Sequence, residues 1–326
     1  MFSQGYVALT AVISFVVSFF SSALINFFII KFQKKRHEGQ SISVYLSSEH
    51  QKKKLTPTLG GIAIVLGTLI STIFYYYYYS DNNFRVIVVV FVSFFLIGLI
   101  DDLIKVKFKN FHGLYTGVRF FLEFLLAILC FYFLSNHYDF SYFYLFNDQR
   151  IYLGSLMVIV FPFILVGSAN SVNLTDGLDG LSSSLFLLAV LPFILFSLID
   201  RVYYLSYLLI SCFGATLGFI TFNIYPSKIF MGDSGSLSLG CLLGITSLVL
   251  HKEILLLISG GLFVFETLSV ILQVGYFKLT KKRLFLMAPF HHHLELKGKK
   301  EYQIVMYFYI IGLVLSLITI FLGILF

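Results

Sequence analysis

Polar clusters interrupt an otherwise apolar chain, and their residue types point to chemistry. The first is Ile97-Gly98-Leu99-Ile100-Asp101-Asp102-Leu103-Ile104-Lys105. Two adjacent carboxylates ending an apolar helix are costly against lipid, so they are expected to face a wet, protein-lined cleft. Consecutive helical residues point about 100° apart, which gives the two aspartates different partners. Lys105 lies one turn beyond Asp101, close enough to pair with it or to contact a phosphate. The plainer alternative is that both carboxylates solvate a helix end. The second cluster runs from Asn170 to Gly180 and holds Asn170, Asn173, Asp176 and Asp179 with no Lys or Arg. Carboxylates without local counter-charge point to a bound cation or to ligand donors such as a nucleobase N–H. Asp176 or Asp179 could instead cap the next helix, and Gly177 and Gly180 permit positive φ or close backbone approach.

A third cluster, Phe222 to Ser236, contains Asn223, Phe230 and the lone Asp233 between Gly232 and Gly235. Asp233 suits either a helix cap or a hard oxygen ligand for Mg2+, which takes few protein carboxylates and completes its shell with water and phosphate. Glycines there would let a diphosphate approach a helix N-terminus, where free N–H groups favour anions. The fourth, Lys281 to Gly298, contains His291, His292 and His293 flanked by basic residues. Zinc would want about four N or S ligands, no Cys lies near, and consecutive side chains diverge. Hydrogen bonding to phosphate fits better. Lys52 to Lys54 precede Thr56-Pro57-Thr58-Leu59-Gly60-Gly61, where the proline suits a helix start and the glycines close packing. Glu266, Ser269 and Gln273 share one helix face inside an apolar run, either as hydrogen-bonded glue or on the path of a lipid substrate, and Glu123 poses the same choice.

The elements that position these residues follow from composition. Of 326 residues 58% are hydrophobic and 12% charged, with mean hydropathy +0.91. A soluble chain is about 45–50% apolar and roughly 25% charged, so a soluble enzyme is excluded. Ten apolar windows are long enough to cross about 30 Å of hydrocarbon as helices: 7–30, 58–79, 84–104, 117–135, 151–171, 180–199, 203–223, 235–250, 253–278 and 302–326. The expected fold is all-α, a single integral-membrane domain spanning 1–326. Basic residues follow the first window and none precede it, which argues against a cleavable signal peptide and places the N-terminus outside. With ten spans, 19 of the 23 Lys and Arg then fall on cytoplasmic segments, leaving Arg85, Arg150, Arg201 and Lys252 on the other side. The net charge of +7 is thus an orientation signal and makes no case for nucleic acid. Tyrosines at 75–79, 138–144 and 203–207 form an interfacial belt in a chain without Trp. Cys130, Cys212 and Cys241 lie in apolar runs at no metal-like spacing. All the polar clusters except the intramembrane face sit on cytoplasmic connections. With no Cys nucleophile and no Gly-x-Ser-x-Gly elbow, the set suits Mg2+-assisted chemistry between a phosphate-rich soluble substrate and a lipid.

The segments TPTLGG (56–61), IGLIDDLIK (97–105), NSVNLTDGLDGL (170–181), FNIYPSKIFMGDSGS (222–236) and MAPFHHHLELKG (287–298) resemble the phospho-N-acetylmuramoyl-pentapeptide transferases. These belong to the polyprenyl-phosphate N-acetylhexosamine-1-phosphate transferase superfamily. The resemblance implies transfer from UDP-N-acetylmuramoyl-pentapeptide to undecaprenyl phosphate, giving lipid I and UMP, by a Mg2+-dependent homodimer in the bacterial cytoplasmic membrane. It implies that Asp233 ligates Mg2+, that Asn173 contributes to the metal or phosphate shell, that Asp101 engages the lipid phosphate and that Asp102 supports the site. It places Asp176, Asn223 and Phe230 around the uridine and counts Gly177 among the substrate-binding residues. Lys105, Asp179, His291, His292 and His293 are expected near the diphosphate or sugar. Departures from the family pattern are Leu55, Leu59, Ser234, Leu294, Lys299 and Arg119, the last standing where the family has Lys; none replaces an aspartate. The rival readings are a related transferase using UDP-N-acetylglucosamine and a non-enzymatic polyprenyl-lipid carrier or flippase.

Overall fold

The computed structural model describes residues 4–36, 53, 56–78, 81–108, 113–145 and 149–325, which leaves Lys52, Lys54 and Leu55 outside the described residues. Its helices are α1 (Gln4–Arg36), α2 (Gly60–Tyr78), α3 (Asn82–Phe108), α4 (Thr116–Leu134), α5 (Met157–Thr175) and α6 (Leu181–Ile199). They continue as α7 (Tyr203–Asn223), α8 (Gly232–Val249), α9 (Glu253–Ser259), α10 (Gly261–Thr280), α11 (Phe290–Leu296) and α12 (Glu301–Leu325). Most are apolar on every face, so nothing but helical hydrogen bonding can satisfy their backbones in hydrocarbon. Among the described residues, eight helices are long and apolar enough to cross a membrane. The windows expected at 58–79 and 235–250 are also helical, as α2 and α8.

α8 is the axis of the bundle: each of its residues is buried, and α2, α3 and α5 pack on it. Small residues make this possible. A Cβ on Gly98 of α3 would lie 2.3 Å from the Asp233 carbonyl oxygen of α8, so the two backbones touch where the aspartates sit. α1 packs on α2 and α7, α6 lies against α7 and α12, and α4 covers α3 and α5. Large apolar side chains cover the outside, among them Phe20, Leu279 and Phe321, as a lipid-facing surface requires.

Several boundaries differ from expectation. The all-α fold carries one small exception, an antiparallel hairpin of β1 (Tyr142–Tyr144) and β2 (Arg150–Tyr152). Because Arg150–Tyr152 pairs there, the helix expected over 151–171 starts at Met157 and runs on to Thr175. Asn173, which lies beyond the expected window, therefore joins Asn170 in the last turns of α5. The 253–278 window breaks at Gly260 into α9 and α10. α3 continues to Phe108, which puts Asp101, Asp102 and Lys105 inside it. α8 starts three residues early and takes Asp233 into its first turn. Pro57 does not start α2; residues 56–59 are non-helical, and the Pro57 carbonyl accepts the Phe230 N–H at 2.8 Å.

Candidate active site

The α3–α8 crossing builds the acidic half of the site. Helix N-termini leave backbone N–H groups without helical partners, and α8 is capped from its neighbour. Asp102 accepts the N–H of Asp233 at 3.0 Å and of Ser234 at 2.9 Å. Gly232 makes room, with φ +80° and a would-be Cβ 2.5 Å from Asp102 Oδ2. Asp102 is thus spent on positioning Asp233. Asp101, on the adjacent helical direction, accepts the Leu114 N–H at 2.6 Å and has Lys105 Nζ 2.6 Å away. Lys105 also reaches Asp233 Oδ1 at 2.9 Å. On the other side of Asp233, Arg119 Nη1 donates to Oδ2 at 2.9 Å and Asn173 Nδ2 at 3.2 Å. Among the described residues, Asp101, Asp102 and Asp233 form the cluster with metal-ligand spacing, one oxygen from each lying within 4.8 Å of the others. Three buried carboxylates against two cations leave the pocket favourable to a further cation.

The second half is the 176–180 turn, held by segments far apart in sequence. Neither Asp176 nor Asp179 caps α6; Gly180 occupies that place with φ +75°. Asp179 is buried, its Oδ2 accepting the Ser227 N–H at 3.0 Å and lying 2.8 Å from Lys53 Nζ. Lys53 also donates to both Glu301 oxygens, at 2.8 and 2.7 Å, and Glu301 accepts the Asp179 N–H at 2.6 Å. Asn223 is committed too: Oδ1 accepts the Gly180 N–H and the Ser183 hydroxyl, both at 3.1 Å, and Nδ2 donates to the Ile229 carbonyl at 2.9 Å. Phe230 joins the loop to α2, its carbonyl accepting the Gly60 N–H at 2.9 Å. Burial, reinforced by the charges of Asp233, Asp102 and Asp179, pushes the Asp176 carboxyl well above the ordinary carboxylate range.

The three histidines separate. His291 is fully buried and abuts the turn: a Cβ on Gly177 would lie 2.2 Å from His291 Nε2. His292 pairs with Glu295 at 2.6 Å, and His293 accepts the Leu286 N–H at 3.1 Å. They do not converge as a zinc site would. The intramembrane face of α10 acts as glue. Glu266 accepts the N–H groups of Phe290 and His291 at 2.6 and 3.1 Å, and Gln273 those of Leu284 and Phe285 at 3.1 and 2.8 Å. Both cradle the segment that presents His291.

The structure therefore brings Asp101, Asp102, Lys105, Asn173 and Asp233 together, joins Asp179 and Asn223 to the neighbouring turn, and holds His291 beside it. Sequence reasoning gave Asn170 a place in the second cluster but no partner, and did not place Lys53 and Glu301 in the site. Lys53 and Glu301 are 248 positions apart, and nothing local links them. Arg119 and Glu123 did leave a signal, opposite charges one turn apart in an apolar helix.

Residues 84–251 match the family described as Glycosyl transferase family 4. A phospho-N-acetylmuramoyl-pentapeptide-transferase of Buchnera aphidicola subsp. Acyrthosiphon pisum is 39% identical, covering 97% of this chain and 94% of its own. The Bacillus subtilis protein of the same name is 38% identical over 94% of this chain and 95% of its own. On this near full-length similarity, the chain belongs to the phospho-N-acetylmuramoyl-pentapeptide-transferase family.

Proposed function

We propose that this chain transfers phospho-N-acetylmuramoyl-pentapeptide from its UDP-linked donor to undecaprenyl phosphate, yielding lipid I and UMP, with Mg2+ as cofactor. The observation that carries the reading is the buried Asp101–Asp102–Asp233 cluster flanked by Lys105 and Arg119, in a chain similar along nearly its whole length to transferases of that name. Hard oxygen ligands at this spacing fit Mg2+, with Asp233 as the group to hold it and Asn173 contributing beside it. Bound there, the ion would offset negative charge on the diphosphate. Lys105 and Arg119 supply two more positive charges to the same phosphates. A lipid phosphate oxygen attacks the β-phosphorus, the bond to the UMP oxygen breaks, and UMP leaves. A phosphate monoester with a second pKa of about 6 is largely dianionic at neutral pH, so demand for a base is small. Asp101, hydrogen-bonded by Leu114 and Lys105, serves to orient the acceptor.

An apolar cavity of about 410 Å3 between α5, α8, α9 and α10, lined by Phe163, Val172, Leu243, Leu256 and Phe263, supports a lipid acceptor. Its wall includes Ser171, next to Asn170 in the site. The reading includes ten spans with both termini outside, a cytoplasmic site, placement in the bacterial cytoplasmic membrane and a homodimer, as the family resemblance implies. UMP release with the N-acetylmuramoyl-pentapeptide and N-acetylglucosamine donors tests it. Turnover of the first alone, lost on chelation, restored by Mg2+ and abolished in a folded Asp233→Asn variant, is expected. Turnover only of the second, or full activity of Asp233→Asn, would refute it.

A further inference from the structure

A carboxylate on a membrane helix that touches no expected substrate group calls for a reason. Glu123 is fully buried in α4, where an unpaired charge is expensive. Its Oε2 accepts a hydrogen bond from Asn170 Nδ2 at 2.5 Å, and its Oε1 lies 3.5 Å from Arg119 Nε. Asn170 Nδ2 also donates to the Val166 carbonyl at 3.0 Å, while its Oδ1 accepts from Arg119 Nη2 at 3.1 Å. Arg119 Nη1 is left to meet Asp233 Oδ2 at 2.9 Å. The ring is polar in one sense only. Glu123, accepting at Oε2, makes Asn170 present its amide nitrogen to the carboxylate and its carbonyl to the arginine. The guanidinium is then held at Nη2 by Asn170, with the Glu123 charge beside Nε and Nη1 aimed at the acidic cluster.

We propose that Glu123 is a positioning residue: through its hydrogen bond from Asn170 and its charge beside Arg119 Nε it fixes the guanidinium plane that serves Asp233 and the transferred phosphates. A fork of five fixed donors needs such fixing when buried. Lysine at position 119 would carry carbon where arginine carries Nε, and its ammonium rotates freely on a flexible stem. Glu123 is therefore the companion of the arginine that replaces the family's lysine.

The inference rests on the transfer reaction proposed above, and a double-mutant cycle separates the two. Glu123→Gln keeps size and an acceptor for Asn170 but turns an N–H toward Arg119 Nε–H. It is expected to lower kcat for UMP release about tenfold, a size usual for groups coupled in one network, with the donor KM nearly unchanged. On an Arg119→Lys background the same change should cost less than about twofold. Equal losses in both backgrounds, or no loss in Glu123→Gln, overturn the inference while leaving the reaction intact. A wild type that releases no UMP overturns both. If Glu123→Gln fails to fold, a folded and active Arg119→Lys/Glu123→Gln protein supports the dependence on arginine. Failure of both to fold makes Glu123 a general packing residue and overturns it.

Discussion

Gly98→Ala should disable the enzyme, although Gly98 carries no side chain and touches no expected substrate. Its added Cβ would stand 2.3 Å from the Asp233 carbonyl oxygen, 2.4 Å from its carbonyl carbon and 2.6 Å from the Ser234 nitrogen. Ordinary contact begins near 3.4 Å, so α3 and α8 must part by about 1 Å, and all three opposing atoms are backbone. Overpacking of this kind costs about 1–3 kcal/mol. The larger effect is on geometry, because Asp101 and Asp102 ride on α3 and Asp233 on α8. A misplacement of about 1 Å among reacting groups costs on the order of 100-fold in rate. Initial rates of UMP release at saturating donor and lipid, with melting in detergent recorded alongside, measure both. Gly275→Ala is the control, since nothing lies within 4 Å of a Cβ there. It should keep full activity and melt no lower, alanine being the better helix former by about 1 kcal/mol. Full activity in folded Gly98→Ala would refute the claim that helix contact sets the aspartate spacing.

Two further predictions concern the 176–180 turn. The Asp176 carboxyl is held above its ordinary range by burial and by neighbouring carboxylates, so the folded state retains a proton that the unfolded chain releases. Stability is then lost as pH rises from the unfolded pKa to the raised folded one, by at most about 1.4 kcal/mol per pH unit. The melting advantage of Asp176→Asn over wild type should grow across that window and level off above it; a constant difference would contradict the argument. Glu301→Gln leaves Lys53 with Asp179 alone and should cost about 1–3 kcal/mol. It should raise donor KM more than it lowers kcat, since the cluster shapes the turn and not the acidic pocket. A kcat loss with unchanged KM and melting would count against it.

Membrane class and the all-helical build were legible without coordinates, whereas of the ten expected windows eight described helices are long and apolar enough to span. Apolar windows and one-sided lysines are local or additive properties, and hydrocarbon leaves a chain few ways to satisfy its backbone. Turn periodicity, being short-range, likewise paired Asp101 with Lys105. Helix edges were less legible: the pairing that delays α5 to Met157 and the early start of α8 at Gly232 depend on contacts outside each segment.

What each carboxylate does was decided by tertiary structure alone. Asp101 and Asp102 are neighbours of one residue type, yet one meets Leu114 and Lys105 and the other caps α8. Asp179 pairs with Lys53 and Ser227 and Asn223 with Gly180 and Ile229, partners no local pattern names. Sequence supplied the residue types, their order and the faces they share along a helix. The partner of a buried charge is chosen by which helices touch, and a pairing such as Lys53 with Glu301, across nearly the whole chain, exists only once the bundle has closed.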